Sequence, residues 1–256
     1  MKTVILCGGL GTRISEETGV RPKPMIEVNN KPILWHLMKC YEQYGFTDFT
    51  MALGYKAEFI KDYFMNYHLR ASDMTVNLGT GQIDVKNPGR ENWSVDLIDT
   101  GANTMTGGRV LRLKDHIEPT GTFFLTYGDG LCNINLKSLL EFHKSHGKIA
   151  TVTAVRPTAR FGELLLDGDS VQKFEEKPQS SQGWINGGFF VFEPEIFNYI
   201  DDDATILEKS PLERISAEGQ LQAFKHDGFW QCMDTMRDKI LLEKLALETP
   251  VPWLRR

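Results

Sequence analysis

The 256-residue chain has no apolar run near the ~20 residues that a helical membrane span needs, which argues against insertion. Its opening, MKTVILCGG, carries one lysine and an apolar run far short of the roughly 7 to 15 residues of a signal peptide, and reads as a first strand. Only four cysteines occur, at 7, 40, 132 and 232. None pairs as CxxC, which argues against structural zinc and predicts free thiols in a reducing cytoplasm. The six histidines lack HExxH-type ligand spacing. Cationic excess is absent too: 29 Lys and Arg stand against 34 Asp and Glu, net −5, so no broad basic face exists to replace counterions along a nucleic acid. No polar linker interrupts the chain, which predicts one domain over residues 1–256.

What the chain does have is concentrated in residues 5–25, ILCGGLGTRISEETGVRPKPM. Val4, Ile5 and Leu6 read as a buried parallel strand. Gly8, Gly9 and Gly11 then allow a tight turn whose N–H groups face a ligand with no Cβ in the way. Arg13 adds a planar fork suited to phosphate, and Lys23, stiffened by Pro22 and Pro24, adds a point charge. Together these groups suit a nucleoside triphosphate. The string is not a P-loop, because no Gly-Lys-Ser/Thr triplet follows. It is a poor dinucleotide fingerprint, because the glycine spacing is wrong and no prompt helix is expected. A bare tight turn with solvated charges is the ordinary reading of a lone GGxG.

Further on, Pro32 begins a helix whose core-facing residues are Ile33, Leu34, Leu37, Met38 and Tyr41, with Gly45 ending it. Residues 49–53 form a strand, and Phe59, Ile60, Tyr63, Phe64 and Tyr67 repeat the helical stripe as packing. Residues 74–99 alternate like a hairpin excursion that includes Val95 and Leu97. A helix over about 107–116, a strand at 123–125 ending at Gly128-Asp129 and a helix over 136–146 follow. The remainder is mostly strands, with helices near Pro194, Pro211 and Thr235. Alternating strands and helices predict a doubly wound, mixed but mostly parallel α/β sheet, with a nucleotide-binding part over about 1–130 and a β-rich sugar-binding part over about 131–256. Ligands in such sheets bind beyond the carboxyl ends of the strands, where the Gly8 loop and Asp129 both lie.

GGLGTR, followed ten residues after its arginine by the lysine of PKPM, resembles the signature of the sugar-1-phosphate nucleotidylyltransferases. The likeness continues through KPILWH, GYK, MTGGR, FLTYGDG, RFG, FEEKP, INGGFFV and FWQCMDT, and the cytidylyl branch of the family is the most similar. The resemblance implies a Rossmann-like nucleotidyltransferase fold that joins CTP to α-D-glucose 1-phosphate with Mg2+. It implies a nucleotide site of Leu6, Cys7, Gly8, Gly9, Leu10, Gly11, Thr12, Arg13, Lys23, Thr104, Arg109 and Gly128. Arg13 would lie along the leaving pyrophosphate and Lys23 at the α-phosphate. Asp129 and Asp234 would hold the metal; for a lone aspartate the ordinary reading is a turn or a helix N-cap. Arg160, Gly162, Glu176, Lys177, Asn186 and Gly187 would hold the sugar phosphate.

Residues 104–109, TMTGGR, replace the stretch that thymidylyl relatives use near their base. The expectation is that Arg109 donates to cytosine O2 and N3 while the backbone of residues 6–10 lines the base; Arg112 is surface charge. The family also implies a homo-oligomer, a hexamer in the cytidylyl branch, and a place in making CDP-sugars for surface polysaccharide. Trp93 and the Pro250-Val251-Pro252-Trp253 segment are candidate contacts, with packing on the same subunit as the alternative. Two other readings remain at this point: the same chemistry with UTP or dTTP, and a non-catalytic nucleotide-sensing module.

Overall fold

The computed structural model describes residues 1–86, 91–157, 163–167, 169–175 and 183–254. Seven strands form the main sheet: β1 (Thr3–Leu6), β2 (Asp48–Leu53), β3 (Ser94–Asp99), β4 (Phe123–Tyr127), β5 (Ala150–Val155), β6 (Ile185–Phe192) and β7 (Leu221–His226). Their order is β7-β5-β6-β4-β1-β2-β3. Strands β4, β1, β2 and β3 run parallel, as do β5 and β7. Only β6 runs antiparallel to its neighbours, joining the two halves. The sheet is thus mixed and mostly parallel, as the alternation of elements predicts.

Alternate side chains of each strand feed opposite faces. Ile5, Met51, Phe124 and Phe189 enter one apolar cluster, while Val4, Leu6, Ala52, Leu125 and Phe190 enter the other. Helix α1 (Ile33–Glu42) seals the first face, and Ile33, Leu34, Leu37, Met38 and Tyr41 are all fully buried. Leu242 and Trp253 join that same cluster, so the end of the chain completes the core begun by β1. Trp253 is 1% exposed, and Trp93 packs on Trp35 and Phe49; both tryptophans therefore serve this subunit's own packing.

Two details depart from the sequence reading. Val95 and Leu97 belong to the main sheet as its edge strand β3, and among the described residues the hairpin is Asp73–Val76 with Ile83–Lys86. An edge strand is half-buried, so it alternates just as a hairpin strand does. The helix expected over 107–116 is two short pieces, α2 (Thr106–Arg112) and a turn at Lys114–Ile117, broken at Leu113 (φ −92°, ψ 0°).

Candidate active site

The glycine loop leaves β1 and is tied to the neighbouring strand. Cys7 N–H donates to Ala52 O at 3.0 Å, and Tyr55 N–H donates to Gly8 O at 3.2 Å. Gly11 has φ 64°, a conformation that a Cβ would disfavour. From there the chain enters a 3-10 turn (Thr12–Ile14) and one helical turn (Ser15–Thr18), so a helix does follow promptly, though a single turn long. Thr18 Oγ1 donates to Gly11 O at 3.2 Å and folds that turn back on the loop. Pro22 then holds extended backbone (ψ 150°), and the 3-10 turn Lys23–Met25 sets the lysine beneath the loop.

A short ladder brings the two aspartates together. Gly130–Cys132 pairs antiparallel with Trp230–Cys232, placing Gly130 opposite Cys232, and Met233 N–H donates to Asp129 O at 2.9 Å. Gly128 permits close approach: a Cβ there would meet Pro24 Cγ at 2.9 Å. Asp234 is not a helix cap, because Thr235 caps the following helix α3 (Met236–Leu245). Asp238 completes that capping box, accepting from Thr235 N–H at 2.8 Å and from Asp234 N–H at 3.1 Å. The Asp234 carboxylate is left to face the cleft.

Lys23 Nζ donates to Asp234 Oδ1 at 2.6 Å and also to Asp129 Oδ2. Arg13 Nη1 donates to the other oxygen of Asp234 at 2.5 Å. Burial would lower the Lys23 pKa, but the two carboxylates outweigh it and the net direction is upward. Burial likewise pushes the Asp234 carboxyl up, and Lys23 and Arg13 reverse this to hold it below the usual range. The side chain of Lys23 is 12% exposed and that of Arg13 is 74% exposed. Lys23 is therefore a fixed charge, whereas Arg13 is free to exchange its aspartate for a phosphate.

These groups edge a cleft of about 670 Å³. Leu6, Cys7, Gly8, Gly9, Gly11, Thr12, Arg13, Lys23, Thr104, Arg109, Gly128, Asp129, Asn186 and Asp234 all line it. Leu10 does not; it points outward, 57% exposed. Gly187 lines a small adjoining pocket with Asn186. Arg160, Gly162, Glu176 and Lys177 lie outside the described residues.

Arg109 is 4% exposed. Its Nη1 donates to Gly101 O at 2.7 Å, Thr100 Oγ1 at 2.8 Å and Leu53 O at 2.9 Å, and its Nη2 donates to Gly8 O at 2.9 Å. Burial pushes its pKa down, and the attraction of the nearby Asp99 offsets only part of this. The guanidinium is thus a buried cation, held by neutral oxygens and wedged between the glycine loop and the 100–102 turn. Its terminal donors are engaged by protein acceptors, so reading a base would mean exchanging one of them. Arg112 instead pairs with Asp203, Nε to Oδ1 at 2.8 Å, and pins α2 to the 203–205 turn at the surface.

Among the cleft residues that sequence reasoning missed are Thr106, Tyr127, Glu208 and Trp230. Tyr127 immediately precedes Gly128-Asp129, and Trp230 sits opposite Cys132 in the ladder that carries Asp234, so proximity in sequence was an available signal for both. Trp230 Nε1 donates to Gly187 O at 2.7 Å and fixes the Asn186-Gly187 backbone. Glu208 has no local signal and reaches the cleft only through the fold.

A family model described as nucleotidyl transferase matches residues 2–235. The chain is 49% identical over 253 residues to the glucose-1-phosphate cytidylyltransferase of Salmonella typhi, covering 99% of this chain and 98% of that protein. It is 44% identical to the probable glucose-1-phosphate cytidylyltransferase of Bacillus subtilis, covering 99% of each. Among solved structures, HddC from Yersinia pseudotuberculosis superposes with a TM-score of 0.69 at 27% identity, covering 95% of this chain and 98% of that one. The same protein complexed with GMP-PN gives 0.67 at 26% identity, with the same coverage.

Proposed function

This chain belongs to the nucleotidyl transferase family, and from that premise we propose that it transfers the cytidylyl group of CTP to α-D-glucose 1-phosphate, giving CDP-glucose and pyrophosphate. The structural observation that carries the reading is the meeting of Lys23 with Asp129 and Asp234 beneath the glycine loop. The sugar's phosphate oxygen bonds to the α-phosphorus, and the bond from that phosphorus to the oxygen bridging it to the β-phosphate breaks. The sugar phosphate is already ionised, so no protein nucleophile is needed, and the chain's task is positioning and charge stabilisation.

Lys23, fixed on its stiff turn, stabilises charge at the α-phosphate. Arg13 moves from Asp234 to the β and γ phosphates and steadies the leaving group. The N–H groups of residues 8–11 cradle the phosphates, and Thr104, Arg109 and the loop backbone enclose the base. Asn186 and Gly187 meet the hexose, together with Arg160, Gly162, Glu176 and Lys177. Asp129 and Asp234 fit Mg2+: two hard oxygen ligands that already share one cation are what a magnesium ion takes from protein when phosphates and waters complete its shell. When bound there, the ion supplies neutralisation of the phosphate oxygens that the attacking anion must pass.

The two parts act as one domain, since both contribute to the same apolar cluster. No helix among the described residues is long and apolar enough to cross a membrane; the proposed use of CTP is what favours work in the cytoplasm. Self-association into the family's hexamer is supported by the hairpin: Met74 lies opposite Val85 and Val76 opposite Ile83, all four exposed on one face. A mass measurement in solution checks it. The product would feed CDP-sugar synthesis for surface polysaccharide.

The test is incubation with glucose 1-phosphate, magnesium and each of the four triphosphates in turn, with identification of the nucleotide sugar formed. CTP is expected to give CDP-glucose fastest. Faster turnover with UTP or dTTP would move the chain to another branch, and no product from any triphosphate would leave a sensing module.

A further inference from the structure

Glu208 is a third carboxylate in a cleft that receives anions, and it is held differently from the other two. Asp129 and Asp234 share the Lys23 ammonium, whereas Glu208 has no cationic partner among the described residues. It accepts instead from two hydroxyls, one on each oxygen: Tyr127 Oη at Oε1, and Thr106 Oγ1 at Oε2 at 2.6 Å. Thr106 Oγ1 in turn accepts from Leu207 N–H at 2.9 Å, fixing the backbone next to the glutamate. Tyr127 is confined too. Its ring stands edge-on to Phe190 and lies so close to Gly188 that a Cβ there would meet it at 2.6 Å.

Each carboxylate oxygen offers about two acceptor sites, so each keeps one after its hydroxyl is satisfied. An unpaired carboxylate repels phosphate, yet it forms a strong charge-assisted hydrogen bond with an alcohol. Two open acceptor sites, one on each oxygen of a clamped group, match a pair of adjacent hydroxyls. On the reading that the cleft takes a nucleoside triphosphate and a sugar phosphate, we propose that Glu208 is a specificity residue accepting hydrogen bonds from vicinal hydroxyls of a bound sugar ring, with Tyr127 and Thr106 as its positioning residues. Both substrates carry such hydroxyls. Thr106 links Glu208 to the wall that holds Thr104, and Tyr127 links it to the wall that holds Asn186, so ribose and hexose are both within the same chemistry.

The experiment measures kcat/KM for wild type and Glu208→Gln with two substrate sets: CTP against 2′-deoxy- and 3′-deoxy-CTP, and glucose 1-phosphate against its 2-, 3-, 4- and 6-deoxy forms. Wild type is expected to prefer the complete substrate by about 10- to 100-fold at the hydroxyls read. In Glu208→Gln that preference narrows sharply in one set and stays unchanged in the other, which identifies the ring. Tyr127→Phe narrows it in the same set, by less. A merely structural role would lower every kcat/KM by one common factor, and that result overturns the proposal, as does an unchanged preference throughout. Glu208→Asp, which keeps the charge but shortens the reach, serves as the second variant should the glutamine form fold poorly, and it too should lose the preference. Wild type that makes no CDP-glucose from CTP fails the underlying reaction; wild type that makes it while Glu208→Gln keeps every ratio fails only the role of Glu208.

Discussion

Lys23 Nζ lies 2.6 Å from Asp234 Oδ1, although 211 positions of chain separate them. Neither is the other's helical or strand neighbour. They meet because the PKP turn leaves β1 on one side of the cleft, while the Gly130–Cys132 and Trp230–Cys232 ladder delivers Asp234 from the other. The same ladder sets Asp129 beside it.

Lys23→Ala should lose about 100-fold or more in turnover, the usual cost of removing a donor aimed at developing charge. A pyrophosphate-release assay checks this. The variant should also melt lower without magnesium, because Asp129 then loses its cation and Asp234, beside it, keeps only the exposed Arg13. Added magnesium should raise its melting temperature more than that of wild type.

The site should tolerate neutral and mildly alkaline pH. Asp234 is held below the usual carboxylate range, so its ionised form stabilises the fold above the unfolded value of about 3.9, and that contribution fades as pH falls through the depressed value. Lys23 is raised, so its contribution is full below about 10.4 and is lost only as pH climbs through the raised value. The melting-temperature difference between wild type and Asp234→Asn is therefore expected to be level from about pH 6 to 8 and to shrink under strongly acid conditions. A difference that changes across neutral pH would contradict this.

Gly8→Ala should damage nucleotide binding. A Cβ there would come within 2.2 Å of Arg109 Cζ, and the guanidinium cannot retreat without breaking its bonds to Leu53, Thr100 and Gly101. We expect a loss of stability of about 1 to 3 kcal/mol by chemical denaturation, as for other overpacked sites, and a higher KM for CTP.

Arg109→Ala should lower the CTP-to-UTP preference by about 10- to 100-fold if the arginine exchanges a backbone acceptor for the base. Competition between the two triphosphates measures it. An unchanged ratio would leave Arg109 as a brace of the glycine loop and nothing more.

The parts of the site that were legible in the sequence are those whose chemistry is local. Gly11 needs its left-handed turn where it stands, Lys23 is stiffened by its own neighbours, and Asp129 follows directly from a buried strand. Asp234 was legible only through resemblance, because its neighbourhood also suits a helix cap; Thr235 and Asp238 take the cap instead. The bonds that anchor Arg109 were illegible, since Leu53, Gly101 and Gly8 contribute carbonyl oxygens, which every residue has. Glu208 was illegible for another reason: its two partners lie 81 and 102 residues away, and nothing in ILEKSP marks it. At fold level, β3 was misplaced because burial on one side only gives the same alternation at a sheet edge as in a free hairpin.

The most direct test of the central claim, that Asp129 and Asp234 hold one divalent ion against the bound nucleotide, is a titration of Mn2+ with CTP followed by electron paramagnetic resonance on wild type, Asp129→Asn and Asp234→Asn. Each single substitution should weaken binding of the metal–nucleotide complex by at least about 10-fold, since even outer-shell partners of a metal typically contribute that much. Full affinity in either variant would contradict the claim.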